Sequence, residues 1–162
     1  MQEWHLCQKT DYTVELCRAD ADRVYNTPRK GEVYNYLEDI TETVHPDTCV
    51  CRGTVGELYL VPFAKLAAYD VRPEEIGEDW LTVRTKPSGL VYCCHRIDGA
   101  CDIPTPYGVM HANRAGVPHG DGDMLLCAAE QRERRYVPLD DNVWVVNGAV
   151  FAMTYRLLET VR

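Results

Sequence analysis

The chain has 162 residues, 46% of them hydrophobic and 26% charged, with 25 Asp+Glu against 17 Lys+Arg and a formal net charge of -8. That composition is globular, and its acidity disfavours nucleic acid, whose binding depends on cationic neutralisation of phosphates. No apolar run reaches the roughly 18 residues needed to span a bilayer, and the start at Met1-Gln2-Glu3-Trp4-His5 lacks the basic and apolar regions of a secretion signal, so a cytoplasmic protein with no membrane partner is expected.

In chain order, the first strand expected is Tyr12–Cys17, where apolar and polar residues alternate at period two. A short helix is expected from Gly31 to Thr41. Thr48–Cys51 and Glu57–Val61 read as strands joined by the hairpin turn Gly53-Thr54-Val55-Gly56, and a second short helix is expected around Phe63–Tyr69. The acidic, Pro- and Gly-punctuated stretch 72–79 has the composition of a linker. Beyond it, strands are expected at Trp80–Arg84, Leu90–Cys94, Met124–Cys127, Val143–Val146 and Val150–Leu157. Arg132-Glu133-Arg134-Arg135 falls in a hairpin, where it forms a solvated face. The expected class is α+β and β-rich: two tandem small mixed units with antiparallel strands, over 1–71 and 80–162.

Eight cysteines stand at positions 7, 17, 49, 51, 93, 94, 101 and 127, with no CxxC pair to turn two thiolates onto one zinc ion. They read as buried free thiols, small hydrophobes of the core. Cysteine nucleophiles would need an imidazole neighbour that no spacing supplies. The single Ser88 lies in a turn, away from any nucleophile elbow. With no GxGxxG, Walker loop or HExxH, the nucleotide-binding and zincin classes drop out.

The two halves repeat an order of short motifs. His45-Pro46-Asp47-Thr48-Cys49, Glu57-Leu58-Tyr59-Leu60-Val61-Pro62 and Tyr69 in the first half follow one another like Gly122-Asp123-Met124, Arg135-Tyr136-Val137-Pro138 and Phe151–Tyr155 in the second. Asp47 precedes Tyr59 by 12 residues and Asp123 precedes Tyr136 by 13. A diverged tandem duplication follows, with the insertion of the second copy around Asp140-Asp141-Asn142.

These motifs resemble the small phage and prophage domain PGDYG. The residues that carry the resemblance are Val14-Glu15, Pro46-Asp47, Gly56-Glu57-Leu58-Tyr59 and Tyr69 in one copy, and Gly122-Asp123, Tyr136, Pro138, Phe151 and Thr154-Tyr155 in the other. The resemblance implies a compact β-rich unit tied to mobile elements and no catalytic residue. In physical terms Asp47, Asp123, Tyr59, Tyr69, Tyr136 and Tyr155 are structural: a carboxylate that accepts backbone N–H groups at a turn, and, for Tyr59 and Tyr136, rings on the core with wet hydroxyls.

The segment richest in chemistry is Tyr107–Asp123. There His111, Asn113, His119 and Asp121 could bind a ligand, and His111, His119, Asp121 and Asp123 could hold a divalent metal through imidazole and carboxylate. A cupin site fails on order, since no His-x-His-x-x-x-x-Glu set lies upstream. The expectation is therefore a non-catalytic binding or interaction protein for an unidentified protein or small molecule, without a cofactor. The alternative is a metal-dependent enzyme built on the His111–Asp123 loop.

Overall fold

Thirteen strands and one α-helix organise the computed structural model, which describes residues 3–160. In chain order they are β1 (His5–Lys9), β2 (Thr13–Arg18), β3 (Glu32–Asn35), β4 (Ile40–Thr43), β5 (Thr48–Arg52), β6 (Leu58–Pro62) and β7 (Leu81–Arg84). Then come β8 (Val91–Arg96), β9 (Cys101–Thr105), β10 (Gly108–Ala112), β11 (Met124–Arg132), β12 (Arg135–Val146), α1 (Gly148–Thr154) and β13 (Tyr155–Thr160). Short 3-10 helices occupy Phe63–Ala68 and Pro73–Glu75. The protein is β-rich, and all its strand pairs are antiparallel. Among the described residues no helix is long and apolar enough to cross a membrane.

The chain divides into two units, and the division is not at 72–79. The first unit is Asp11–Pro87; the second combines residues 3–10 with 88–160. The stretch expected as a linker belongs to the first unit: Arg18 donates its backbone N–H to Gly77 O and its Nε–H to Ile76 O, and Ile76 is buried in a core. An apolar side chain at Ile76 outweighs the acidic residues around it.

In the first unit the sheet runs β6-β5-β2-β7, with the β3-β4 hairpin separate. Each face of the sheet buries its own core. One, under the Phe63–Ala68 turn, holds Val14, Leu16, Cys49, Cys51, Leu66, Ile76 and Val83. The opposite residues of the same strands, Cys17, Val50 and Leu58, pack with Val33 and Val44. This is the period-two alternation of strands covered on both faces. Residues 31–41 form the β3-β4 hairpin and not the expected helix: β4 is exposed throughout and only Val33 of β3 is buried, so no apolar face exists for a helix to bury.

In the second unit the order is β12-β11-β8-β1-β13, with the β9-β10 hairpin apart. One core contains Cys7, Cys94, Met124, Leu126 and Phe151; the other contains Ile97, Ala112 and Leu125 with Trp4, Val143 and Val145. Residues 150–157, expected as a strand, break at Tyr155. Asn147 caps a helix ahead of it, its side-chain oxygen accepting the N–H groups of Ala149 and Val150.

Register makes the sheets comparable position by position. Across the first unit, Leu81, Leu16, Cys51 and Tyr59 stand in one row; across the second, His5, Cys94, Leu126 and Trp144 do. Arg18, Cys49 and Val61 likewise correspond to Arg96, Met124 and Val146. Tyr69 bridges Thr85 as Tyr155 faces Lys9. The leading strands cross over, however: β1 precedes β2 in the chain but pairs with β8, while β7 precedes β8 but pairs with β2.

Three of the sequence equivalences shift. Asp123 corresponds in register to Thr48, since Ala19 N–H donates to Thr48 O as Ile97 N–H donates to Asp123 O. Asp47 then matches Gly122, both at positive φ (62° and 127°). Tyr59 corresponds to Trp144 and not to Tyr136, which lies farther out on the β11-β12 hairpin opposite Gln131. The Tyr12 strand matches the Leu90 strand, and Trp80 matches Trp4.

Seven of the eight cysteines are buried; Cys101 alone is exposed, and none is in a disulfide. Burial pushes Cys49 up to about 11 and Cys51 and Cys127 up to about 12. Native protein treated briefly with iodoacetamide at mildly alkaline pH is therefore expected to gain a single adduct, at Cys101, and eight adducts after denaturation. Intact-mass measurement reads both numbers. Rapid native labelling of Cys51 or Cys127 would contradict the burial.

Candidate functional site: a cationic cleft at Trp80

At the open end of the first unit's sheet, three elements bring two arginines to one tryptophan. Register places Arg52, the last residue of β5, opposite Glu15 of β2, and Arg52 Nη1 donates to Glu15 Oε1 at 3.0 Å. The guanidinium also lies over the Trp80 ring, 4.1 Å from its centroid, a cation–π distance. Trp80 precedes β7 and packs beside the core around Val33, Val50 and Leu58.

The second cation comes from the chain after β2. Asp20 starts a turn by accepting the N–H groups of Asp22 and Arg23, the first on its side chain. The Tyr25 hydroxyl accepts from Asp20 N–H, so this aromatic residue pins the turn. Asn26 spends its side-chain amide on both backbone groups of Tyr34. Arg23, held between them, donates Nη1–H to Glu78 O at 2.6 Å and sits 5.1 Å from the Tyr25 ring and 5.7 Å from the Trp80 ring.

The result is an open cleft of about 360 Å³ lined by Arg23, Tyr25, Asn26, Arg52, Leu58 and Trp80, with Val24 and Gly56 at its edge. Two arginines line it and no carboxylate does, the nearest described one to Arg52 being its partner Glu15. The corresponding place in the second unit lacks the arginine of the Glu15–Arg52 pair. There Trp4 packs edge-on against His95 at 4.7 Å, and Cys93 and Cys127 take the positions of Glu15 and Arg52.

The residues singled out in the Tyr107–Asp123 segment do not converge on one site. His111 on β10 faces Asp102 on β9, and its Nδ1 pairs with that carboxylate on the exposed side of the hairpin. Asn113 and Asp123 clasp each other: Asn113 N–H donates to Asp123 Oδ2 at 2.8 Å, and Asp123 N–H donates to Asn113 Oδ1 at 2.7 Å. The other carboxylate oxygen accepts Gly148 N–H at 2.8 Å. Asp121 is exposed, and the His119 carbonyl accepts Gly122 N–H to close the turn. Among the described residues no three His, Cys, Asp or Glu side chains are grouped to hold a metal ion. Each oxygen of the Asp123 carboxylate thus accepts one backbone N–H at the turn.

The tyrosines divide between core and surface. Tyr59 and Tyr69 lie against Cys51, and burial raises both, Tyr69 to about 12. The Tyr59 hydroxyl meets the Cys51 thiol, so it is not wet as expected. Tyr155 stacks on Phe151 with ring centroids 4.9 Å apart. Tyr136 is half-buried on its hairpin. Arg23, Arg52 and Trp80 form no motif in the sequence, and only the positive charge kept beside an aromatic by the fold identifies them. Comparison with known proteins finds nothing similar: no family model, no curated protein and no solved structure matches the chain.

Proposed function

We propose that the chain is a non-catalytic binding protein that takes a small anionic ligand in the cleft at Trp80. The observation that carries this reading is that Arg23 and Arg52 both line a cleft that no carboxylate lines, with only Glu15 paired to Arg52 from outside the lining, in a chain of net charge -8. Cations gathered locally against the overall charge are suited to an anion, and each guanidinium keeps N–H donors beyond the one it spends on Glu15 or on Glu78 O. The lining offers no thiol, imidazole or carboxylate to act as nucleophile or base, which favours binding over transformation.

The same reading takes the chain as two diverged copies of one unit whose leading strands are exchanged. The matching rows of register and the Tyr69 and Tyr155 bridges support it. One copy has the Glu15–Arg52 ion pair beside its tryptophan and the other has Cys93 and Cys127 in those positions, so binding is assigned to the first copy. The phage or prophage character rests on the motif residues shared with PGDYG, and the protein is taken to work in the cytoplasm.

Thermal unfolding in inorganic phosphate, with ionic strength held constant by chloride, tests the anion site. A saturable rise in Tm is expected for the wild type, and Arg23→Gln should weaken the apparent affinity about tenfold or more, the loss of a charge-assisted contact. An identical phosphate response in both proteins would reject the cleft as the site.

A further inference from the structure

We infer that the ligand of the Trp80 cleft is a nucleoside monophosphate, a planar ring carrying one phosphate group. This rests on the anion-binding reading above and adds the rest of the ligand to it. Three observations narrow the class.

Size comes first. A cleft of about 360 Å³ lies in the range of small-molecule sites and leaves most of its space empty around a bare phosphate. Second, the walls are two aromatic side chains, Tyr25 and Trp80, both half-buried and both in contact with a guanidinium. Nucleobases stack on aromatic faces and on guanidinium planes with little regard to base identity, and since Arg52 already lies 4.1 Å over the Trp80 ring, the base stacks on a guanidinium layered on an aromatic ring. Several polar groups of the lining are already engaged, Asn26 with Tyr34 and the Tyr25 hydroxyl with Asp20 and Arg18. That leaves few groups to read a base edge and favours stacking.

Third, the charge balance separates a monomer from a polymer. A strand of nucleic acid would extend its phosphates past the two arginines over a chain of net charge -8, where each further phosphate meets repulsion. A single phosphate avoids that cost and places its oxygens between Arg23 and Arg52. Guanidinium groups hold a phosphate without a glycine-rich loop, so the lack of Walker and GxGxxG motifs does not count against this ligand.

The experiment is calorimetric titration of the full chain, paralleled by tryptophan fluorescence, with AMP, CMP, adenosine, inorganic phosphate and a short single-stranded oligothymidylate at one salt concentration. AMP and CMP are expected to bind within about fivefold of each other and about tenfold or more tighter than adenosine or phosphate, the size of effect one stacked ring or one paired phosphate contributes. Arg23→Gln and Trp80→Phe should each weaken AMP by about tenfold; if Trp80→Phe does not fold, Arg23→Gln decides, since its side chain sits on a turn outside the cores. AMP binding no tighter than phosphate would overturn the nucleotide while leaving the anion site standing. Adenosine matching AMP, or the oligonucleotide surpassing it, would also overturn the inference. No binding of phosphate or of either nucleotide would overturn both readings.

Discussion

Gly148→Ala is expected to destabilise the protein by about 3 kcal/mol, the upper end of what overpacking costs, or to prevent folding. Gly148 opens α1 and is buried. A Cβ there would stand 2.1 Å from His119 O and 2.2 Å from Gly122 O. Both obstacles are backbone atoms of a turn closed by the Gly122 N–H to His119 O bond at 2.8 Å, so neither can swing aside as a side chain would. Gly77→Ala is the matched control, because its Cβ would meet open space; it should stay within about 0.5 kcal/mol of the wild type. Gly122→Val should fall between, at about 1–3 kcal/mol, since a β-branched residue would be forced to φ 127° and against the Arg96 side chain. Urea unfolding of the three variants gives the order directly. Equal midpoints for Gly148→Ala and Gly77→Ala would show that the turn yields easily, against the packing seen.

The strands at Thr13–Arg18, Thr48–Arg52, Leu58–Pro62 and Val91–Arg96 were legible as short apolar runs, the middle two bounded by the Gly53–Gly56 turn, because their sheets bury side chains on both faces. The β3-β4 hairpin was not, since a pair that buries one side chain leaves no period to read. The helix at Gly148–Thr154 carries its signal in Asn147, a capping residue at the junction of two apolar runs. The exchange of leading strands could not be read at all. β1 and β7 are short, and which neighbour each pairs with depends on tertiary contacts and not on local pattern.

The site was less legible than the fold, for a related reason. His111, His119 and Asp123 drew attention by residue type and closeness in sequence, yet a hairpin, a turn and a buried clasp send them to different tasks. Arg23, Arg52 and Trp80 lie far apart in sequence, each amid unremarkable neighbours. Their meaning arises only when the β2-β5 register brings Arg52 to Glu15 and the Tyr25-pinned turn brings Arg23 over Trp80.

Asp123→Ala should cost about 2–4 kcal/mol, because it strands one buried and one part-buried backbone donor, and each such loss costs about 1–3 kcal/mol, least where water can reach the donor. The carboxylate accepts Asn113 N–H and Gly148 N–H, joining the end of the β9-β10 hairpin to the start of α1. Asp123→Asn should lose roughly half as much, as it keeps one acceptor oxygen and turns an amide N–H₂ toward the other donor. Thr48 in the first unit fills the corresponding place differently, its hydroxyl donating to the His45 carbonyl at 2.6 Å. Thr48→Ala removes that bond together with a buried methyl group and should cost about 2 kcal/mol. The contrast between the two positions, read from urea midpoints, thus measures how much the second unit depends on its buried carboxylate. Elemental analysis of Asp123→Ala beside the wild type, both purified without chelator, adds an independent check. A variant as stable as the wild type but poorer in bound metal would move Asp123 from clasp to ligand.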